Sequence, residues 1–139
     1  MKSLIAFMIG LLLAGPAFAG DRVQDVLDAL RANLARWGWL LWSGRAMELP
    51  YLEEMLQGIE TGTPSRSYGL AVGIDLTGLD EILGHGGWIL GYVGSLHYHP
   101  AQDTAIAIQI NTDIGMLGAE GTFDAIERAI HDVILEFTK

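Results

Sequence analysis

The chain has 139 residues, half of them apolar, contains no cysteine and carries a formal net charge of −9. That length predicts one domain, and 18% charged against 50% apolar residues excludes global disorder. Eight basic against seventeen acidic residues leave no basic footprint for nucleic acid, and the lack of cysteine excludes disulfides, thiolate metal sites and a cysteine nucleophile.

The first segment reads as an address. Met1-Lys2 is followed by an apolar-and-glycine run over residues 4–13, by the breakers Gly15-Pro16, and by the small-x-small sequence Ala17-Phe18-Ala19. This is the pattern of a secretory signal over residues 1–19. The apolar run is shorter than the roughly 20 residues a membrane-spanning helix needs. The expectation is an exported protein, periplasmic or secreted, with residues 20–139 as one domain and no stable membrane span after cleavage.

Asp21 with Gln24 fits a capping box. Val23, Val26, Leu27, Leu30, Leu34, Trp37, Leu40 and Leu41 then recur at steps that trace one helical face, with Gly44 as the stop. Pro50 starts a second short helix that ends by Gly58, and residues 58–67 read as a loop rich in Gly, Thr, Ser and Pro. The period then changes to two. Residues 68–74 form a strand, Thr77-Gly78 a turn, and residues 79–84 a further strand. Residues 92–99 and 104–111 make a hairpin across Pro100-Ala101-Gln102-Asp103. In its second arm Ile106, Ile108 and Ile110 share one face and Ala105, Ala107 and Gln109 the other. This predicts cover on both sides, with a helix lying close on the alanines. Phe123, Ile126, Ile130, Val133, Ile134 and Phe137 fall on one stripe of a closing helix over residues 122–137. The predicted fold class is α/β of α+β type: an antiparallel sheet of three to five strands with helices packed on it.

Gly84-His85-Gly86-Gly87 opens the densest glycine cluster, continued by Gly91 and Gly94. It is no phosphate loop, because Trp88 and the β-branched, aromatic residues after it open no helix. The cluster reads as a strand with a bulge where another backbone approaches closely. His97 and His99 share a strand face and, with His85, are the candidate set for a metal. A single His-x-His pair with no completing carboxylate reads instead as a half-exposed strand face, so no metal is expected. His131, on the polar side of the last helix, reads as solvated.

The run Gly84-His85-Gly86-Gly87-x3-Gly91-Tyr92, a strand, a turn and Thr104-Ala-Ile-Ala-Ile-Gln-Ile-Asn111 together resemble the C-terminal part of serine β-lactamase-like hydrolases. That superfamily includes class C β-lactamases, D-alanyl-D-alanine carboxypeptidases and related esterases. Upstream, Leu34-Ala-Arg-Trp-Gly38, Ser43-Gly44-Arg45 and Tyr68-Gly69-Leu70 are similar to the helix and strand before its third motif. The resemblance implies that His85-Gly86-Gly87 is that motif, a Lys/His-x-Gly on the strand bordering the active site. His85 would then place charge near nucleophile and substrate, and Gly86 and Gly87 would admit substrate backbone. The Trp88 N–H would be an oxyanion donor. It implies no cofactor, and a small-molecule or peptide substrate.

The family's Ser-x-x-Lys nucleophile motif and Tyr-x-Asn second motif are both missing: no serine is followed three places later by Lys, and no tyrosine two places later by Asn. The chain thus resembles an export signal joined to the final third of a serine hydrolase, inactive alone and dependent on a second chain for the missing part. The alternative is a non-catalytic exported module that binds peptide, peptidoglycan stem or a partner subunit.

Overall fold

The computed structural model describes residues 21–77, 80–117 and 122–137. The export signal expected at residues 1–19, the turn residue Gly78 with Leu79, and Lys139 lie outside them, as do the side chains of residues 21–24, Leu27 and Phe137. In chain order the elements are α1 (Asp21–Trp42), α2 (Leu49–Met55), β1 (Ile59–Glu60), β2 (Arg66–Tyr68), β3 (Gly73–Thr77), β4 (Asp80–Ile89), β5 (Tyr92–His99), β6 (Thr104–Ile110) and α3 (Thr122–Phe137). The strands form one antiparallel sheet in the order β1-β2-β3-β4-β5-β6. The class is the expected one, with six strands where three to five were predicted.

Both extra strands arise where the chain turns back on itself. Residues 58–67 are not simply a loop, because β1 pairs with β2 across a tight excursion at Thr61–Ser65. Residues 68–74 are not one strand either. The chain turns between β2 and β3, where the Leu70 N–H donates to the Met55 carbonyl at 2.9 Å and Ala71 takes a left-handed φ of 58°. A Cβ on Gly69 would overlap that same carbonyl, so only glycine lets the turn close on α2.

The predicted two-sided cover is present. On the isoleucine face of β6, α3 buries Phe123, Ile130 and Ile134 against Ile106, Ile108, Ile110 and Val93. On the alanine face, α1 buries Trp42 in a cluster with Ala105, Tyr98, Leu83 and Ile74. Gly38 sets how closely α1 lies, since a Cβ there would sit 2.9 Å from Leu96 Cδ1. Two predicted stripes are only partly used. Val26, Leu30 and Trp37 of α1 are exposed, as is Val133 of α3; α1 meets the sheet instead through Ala35, Gly38 and Trp42, which lie off the predicted stripe.

Asp103, in the β5–β6 turn with φ of 47°, fastens α1 to the hairpin. Its Oδ1 accepts from Trp39 Nε1 at 2.8 Å and from the Tyr98 hydroxyl at 2.9 Å, and Arg45 lies 3.4 Å away. The Arg45 guanidinium also stacks 4.1 Å over the Trp39 ring. Burial first, and then the Asp103 carboxylate, push the Tyr98 hydroxyl up to about 12. Burial alone would raise the Asp103 carboxyl, but the hydrogen bonds from Tyr98 and Trp39 and the Arg45 charge outweigh it and hold it low. Asp103→Ala removes the acceptor of both donors and is expected to destabilise the chain by about 1–3 kcal/mol in urea denaturation; an unchanged midpoint would contradict this role.

Candidate functional site

β4 is longer than its neighbour β3. The β3–β4 ladder runs from Thr77↔Asp80 to Gly73↔Gly84 and stops. The β4–β5 ladder continues from Leu83↔Tyr98 to Ile89↔Tyr92 without a slip. Residues 85–89 are therefore held extended by β5 on one side and, among the described residues, have no strand partner on the other. Along such an edge, alternate N–H and C=O groups point outward unpaired. The predicted bulge is absent, since the register is continuous through every glycine.

The four residues singled out from the sequence all lie on this edge. By register His85 and Gly87 belong to the α1 side of the sheet, and Gly86 and Trp88 to the α3 side. All four are exposed. The His85 ring meets the Tyr68 ring edge-on at 5.9 Å, which closes the end of the edge next to β3. Trp88 donates from Nε1 to Asp113 Oδ2 at 2.9 Å, fixing the indole while leaving the residue 52% exposed. That hydrogen bond, followed by one from the Gly91 backbone, holds the Asp113 carboxyl below its ordinary value.

The glycines of the cluster separate into two kinds. A Cβ on Gly84 would overlap the His97 ring and the Leu96 carbonyl, and one on Gly94 would sit 2.8 Å from the Ile108 carbonyl. Those two are required by the close approach of neighbouring strands, as the sequence suggested. A Cβ on Gly87 would meet nothing within 4 Å, and one on Gly86 only the Gly94 carbonyl at 3.7 Å. Nothing among the described residues requires glycine at 86 or 87. Their effect is to leave the strand bare on the side facing solvent.

His97 and His99 share a strand face, as expected, but that face is not half-exposed. It lies under α3. Glu127 of α3 accepts a hydrogen bond from the Ser95 hydroxyl and lies 3.3 Å from His97 Nδ1. Burial alone would raise the Glu127 carboxyl; hydrogen bonds from His97 and Ser95 outweigh it and hold it low. His131, expected in solvent, stacks instead on His99 with ring centroids 5.2 Å apart. His99 is buried, and its Nδ1 and the His131 Nε2 have no hydrogen-bond partner among the described residues. The signal for this seam was present in the sequence: Glu127 and His131 stand four apart on α3, between the buried positions 123, 130 and 134. His85 faces the other side of the sheet from His97 and His99, so the three do not converge. Among the described residues no group of three metal-ligating side chains comes together.

No protein-family profile matches the chain, and no curated protein matches it. Over 58% of its length it is similar to a crystal structure of a D-stereospecific amidohydrolase from Streptomyces sp., with 27% identity and a TM-score of 0.53. That enzyme is of the penicillin-binding, β-lactamase-like superfamily. The match takes up 25% of the enzyme's own chain. The resemblance to a hydrolase thus has a structural counterpart, and it extends to about a quarter of such an enzyme. No helix among the described residues is long and apolar enough to cross a membrane.

Two outcomes follow for stability. Gly84→Ala forces the β4–β5 ladder apart and should cost about 2–3 kcal/mol, whereas Gly87→Ala should leave the unfolding midpoint within about 0.5 kcal/mol of wild type. Equal losses from both would show that residue 87 is not on an open edge. The second concerns pH. Burial, and then the charges of His131 and His97, lower His99 to about 4, against 6.5 for a free imidazole. Above pH 6.5 both folded and unfolded forms are neutral and stability is complete. Between 6.5 and about 4 only the unfolded chain takes up the proton, so stability falls, by on the order of 3 kcal/mol in all. The low Glu127 carboxyl adds a loss of the same sign once pH enters the carboxylate range. Urea midpoints at pH 7.5, 6 and 4.5 should decline in that order; a flat series would contradict the buried neutral imidazole.

Proposed function

We propose that this chain is an exported β-lactamase-related hydrolase domain in which the open edge of β4 receives an extended amide, such as a peptide ending in D-alanine. The observation that carries the reading is the bare strand at Gly86-Gly87, held straight by β5 and unpaired on its outer side, in a chain similar to a D-stereospecific amidohydrolase. A substrate backbone aligned there gains strand-to-strand hydrogen bonds without steric contact from residues 86 and 87. His85 supplies a basic side chain beside it. The Trp88 N–H serves as an oxyanion donor, a contribution worth about 2.7–4 kcal/mol in acyl transfer.

The 139 residues contain no Ser-x-x-Lys, and their two lysines are Lys2 and Lys139. Serine acyl transfer needs a nucleophile within hydrogen-bond reach of its base. Among the described serines, Ser43 donates to the Trp39 carbonyl and Ser95 to Glu127. The chain therefore binds by itself and turns over substrate only with polypeptide that supplies the serine and lysine. The missing nucleophile also favours a second reading, a binding module for peptide or peptidoglycan stem that uses the same edge and never catalyses.

Backbone amide NMR with an N-acyl-D-Ala-D-Ala peptide tests the binding that both readings share. Shifts at Gly86, Gly87 and Trp88 are expected, and they should disappear in a Gly87→Val variant that keeps its thermal midpoint. The isolated chain should take no label from a fluorophosphonate probe. Absence of shifts at the edge refutes the site, and labelling of the chain alone refutes the missing nucleophile.

A further inference from the structure

A second concave site lies further along the same sheet, away from the open edge. The excursion between β1 and β2 overhangs the α1-facing side of β3 and β4 and leaves a groove of about 630 Å³, a volume in the range of small-molecule sites. Its floor is apolar: Ile74 and Leu83 are buried, and Leu76 beside them is 57% exposed, with none of the described residues covering it. The wall is the segment 62–67, in which Ser65 is held at a left-handed φ of 62° and its carbonyl accepts a hydrogen bond from the Leu76 N–H at 2.8 Å. The rim is charged in one sense only. Glu60 and Glu81 line the groove and are exposed, and among the described residues no basic side chain pairs with either. The single cation of the lining, Arg66, is already neutralised by Asp75 at 3.2 Å.

We infer that this groove binds a primary ammonium group carried on an apolar stem. The stem covers the exposed Leu76 and lies on Ile74 and Leu83, burying apolar surface that the fold leaves wet. The ammonium end reaches the rim, where the two carboxylates offer a negative potential and the guanidinium of the described lining is spent on Asp75. An anionic or neutral ligand of the same stem gains the apolar contact but not the charge. The carboxylates are solvated, so the preference weakens as salt rises. This inference does not rest on the role proposed for the β4 edge.

Titration of the full chain with hexylammonium, hexanol and hexanoate, read by backbone amide NMR, tests it. Hexylammonium should shift the amides of Ser67, Leu76 and Leu83, and bind at least ten-fold more tightly than hexanol, with hexanoate weakest. The preference for hexylammonium over hexanol should fall several-fold at 0.5 M NaCl. In a Glu60→Gln, Glu81→Gln double variant it should vanish while the unfolding midpoint stays put. Equal affinity for all three ligands, a preference that survives in the double variant, or no shifts at the groove would each overturn the inference. Because Gly86 and Gly87 report separately on the edge, either site can fail without the other.

Discussion

The seven-residue pairing of β4 with β5 is the constraint on which the rest of the structure depends. A strand edge is normally a liability, and proteins shorten, bend or cover it. Here β3 stops at Gly73, opposite Gly84, while β5 carries β4 onward to Ile89. Without β5 a run containing three glycines in four residues would have no reason to stay extended, because glycine loses the most conformational freedom on ordering. Pairing to one neighbour supplies the order, and the missing neighbour leaves the edge open.

That arrangement in turn rests on how β5 is held. Its one face meets α1 through Leu96 and Tyr98, with Asp103 tying the hairpin turn to Trp39. Its other face meets α3 through a mixed surface, with Val93 in the apolar cluster and Ser95, His97 and His99 against Glu127 and His131. The polar seam fixes register, since a one-residue slip would turn Ser95, His97 and His99 away from α3 and bring Leu96 against Glu127. It also leaves two imidazole nitrogens buried without partners among the described residues, and this makes the seam the part of the sheet most sensitive to acid.

Much of this was legible in the sequence where a period persisted. The apolar steps of α1, the alternation of Thr104–Ile110 and the stripe of α3 each run long enough to define an element, and the last two also its buried side, whereas α1 turns Ala35, Gly38 and Trp42 inward rather than the stripe. The alanine face received its helix as expected. What could not be read was set by contacts distant in sequence. The break between β2 and β3 depends on the Met55 carbonyl, and the pairing of β1 on a two-residue match with β2. The burial of His131 depends on which side of α3 meets β5. The glycine cluster was recognised as a strand, but only the neighbouring strands separate Gly84 and Gly94, which the packing requires, from Gly86 and Gly87, which it does not.

Native-state hydrogen exchange over residues 85–89, with and without an N-acyl-D-Ala-D-Ala peptide, addresses the open edge most directly. Alternation is expected in the free chain, with amides turned to β5 protected and those turned outward exchanging freely, and the outward set is expected to become protected once peptide is bound. Uniform protection of all five amides in the free chain, or an outward set unaffected by saturating peptide, would contradict it.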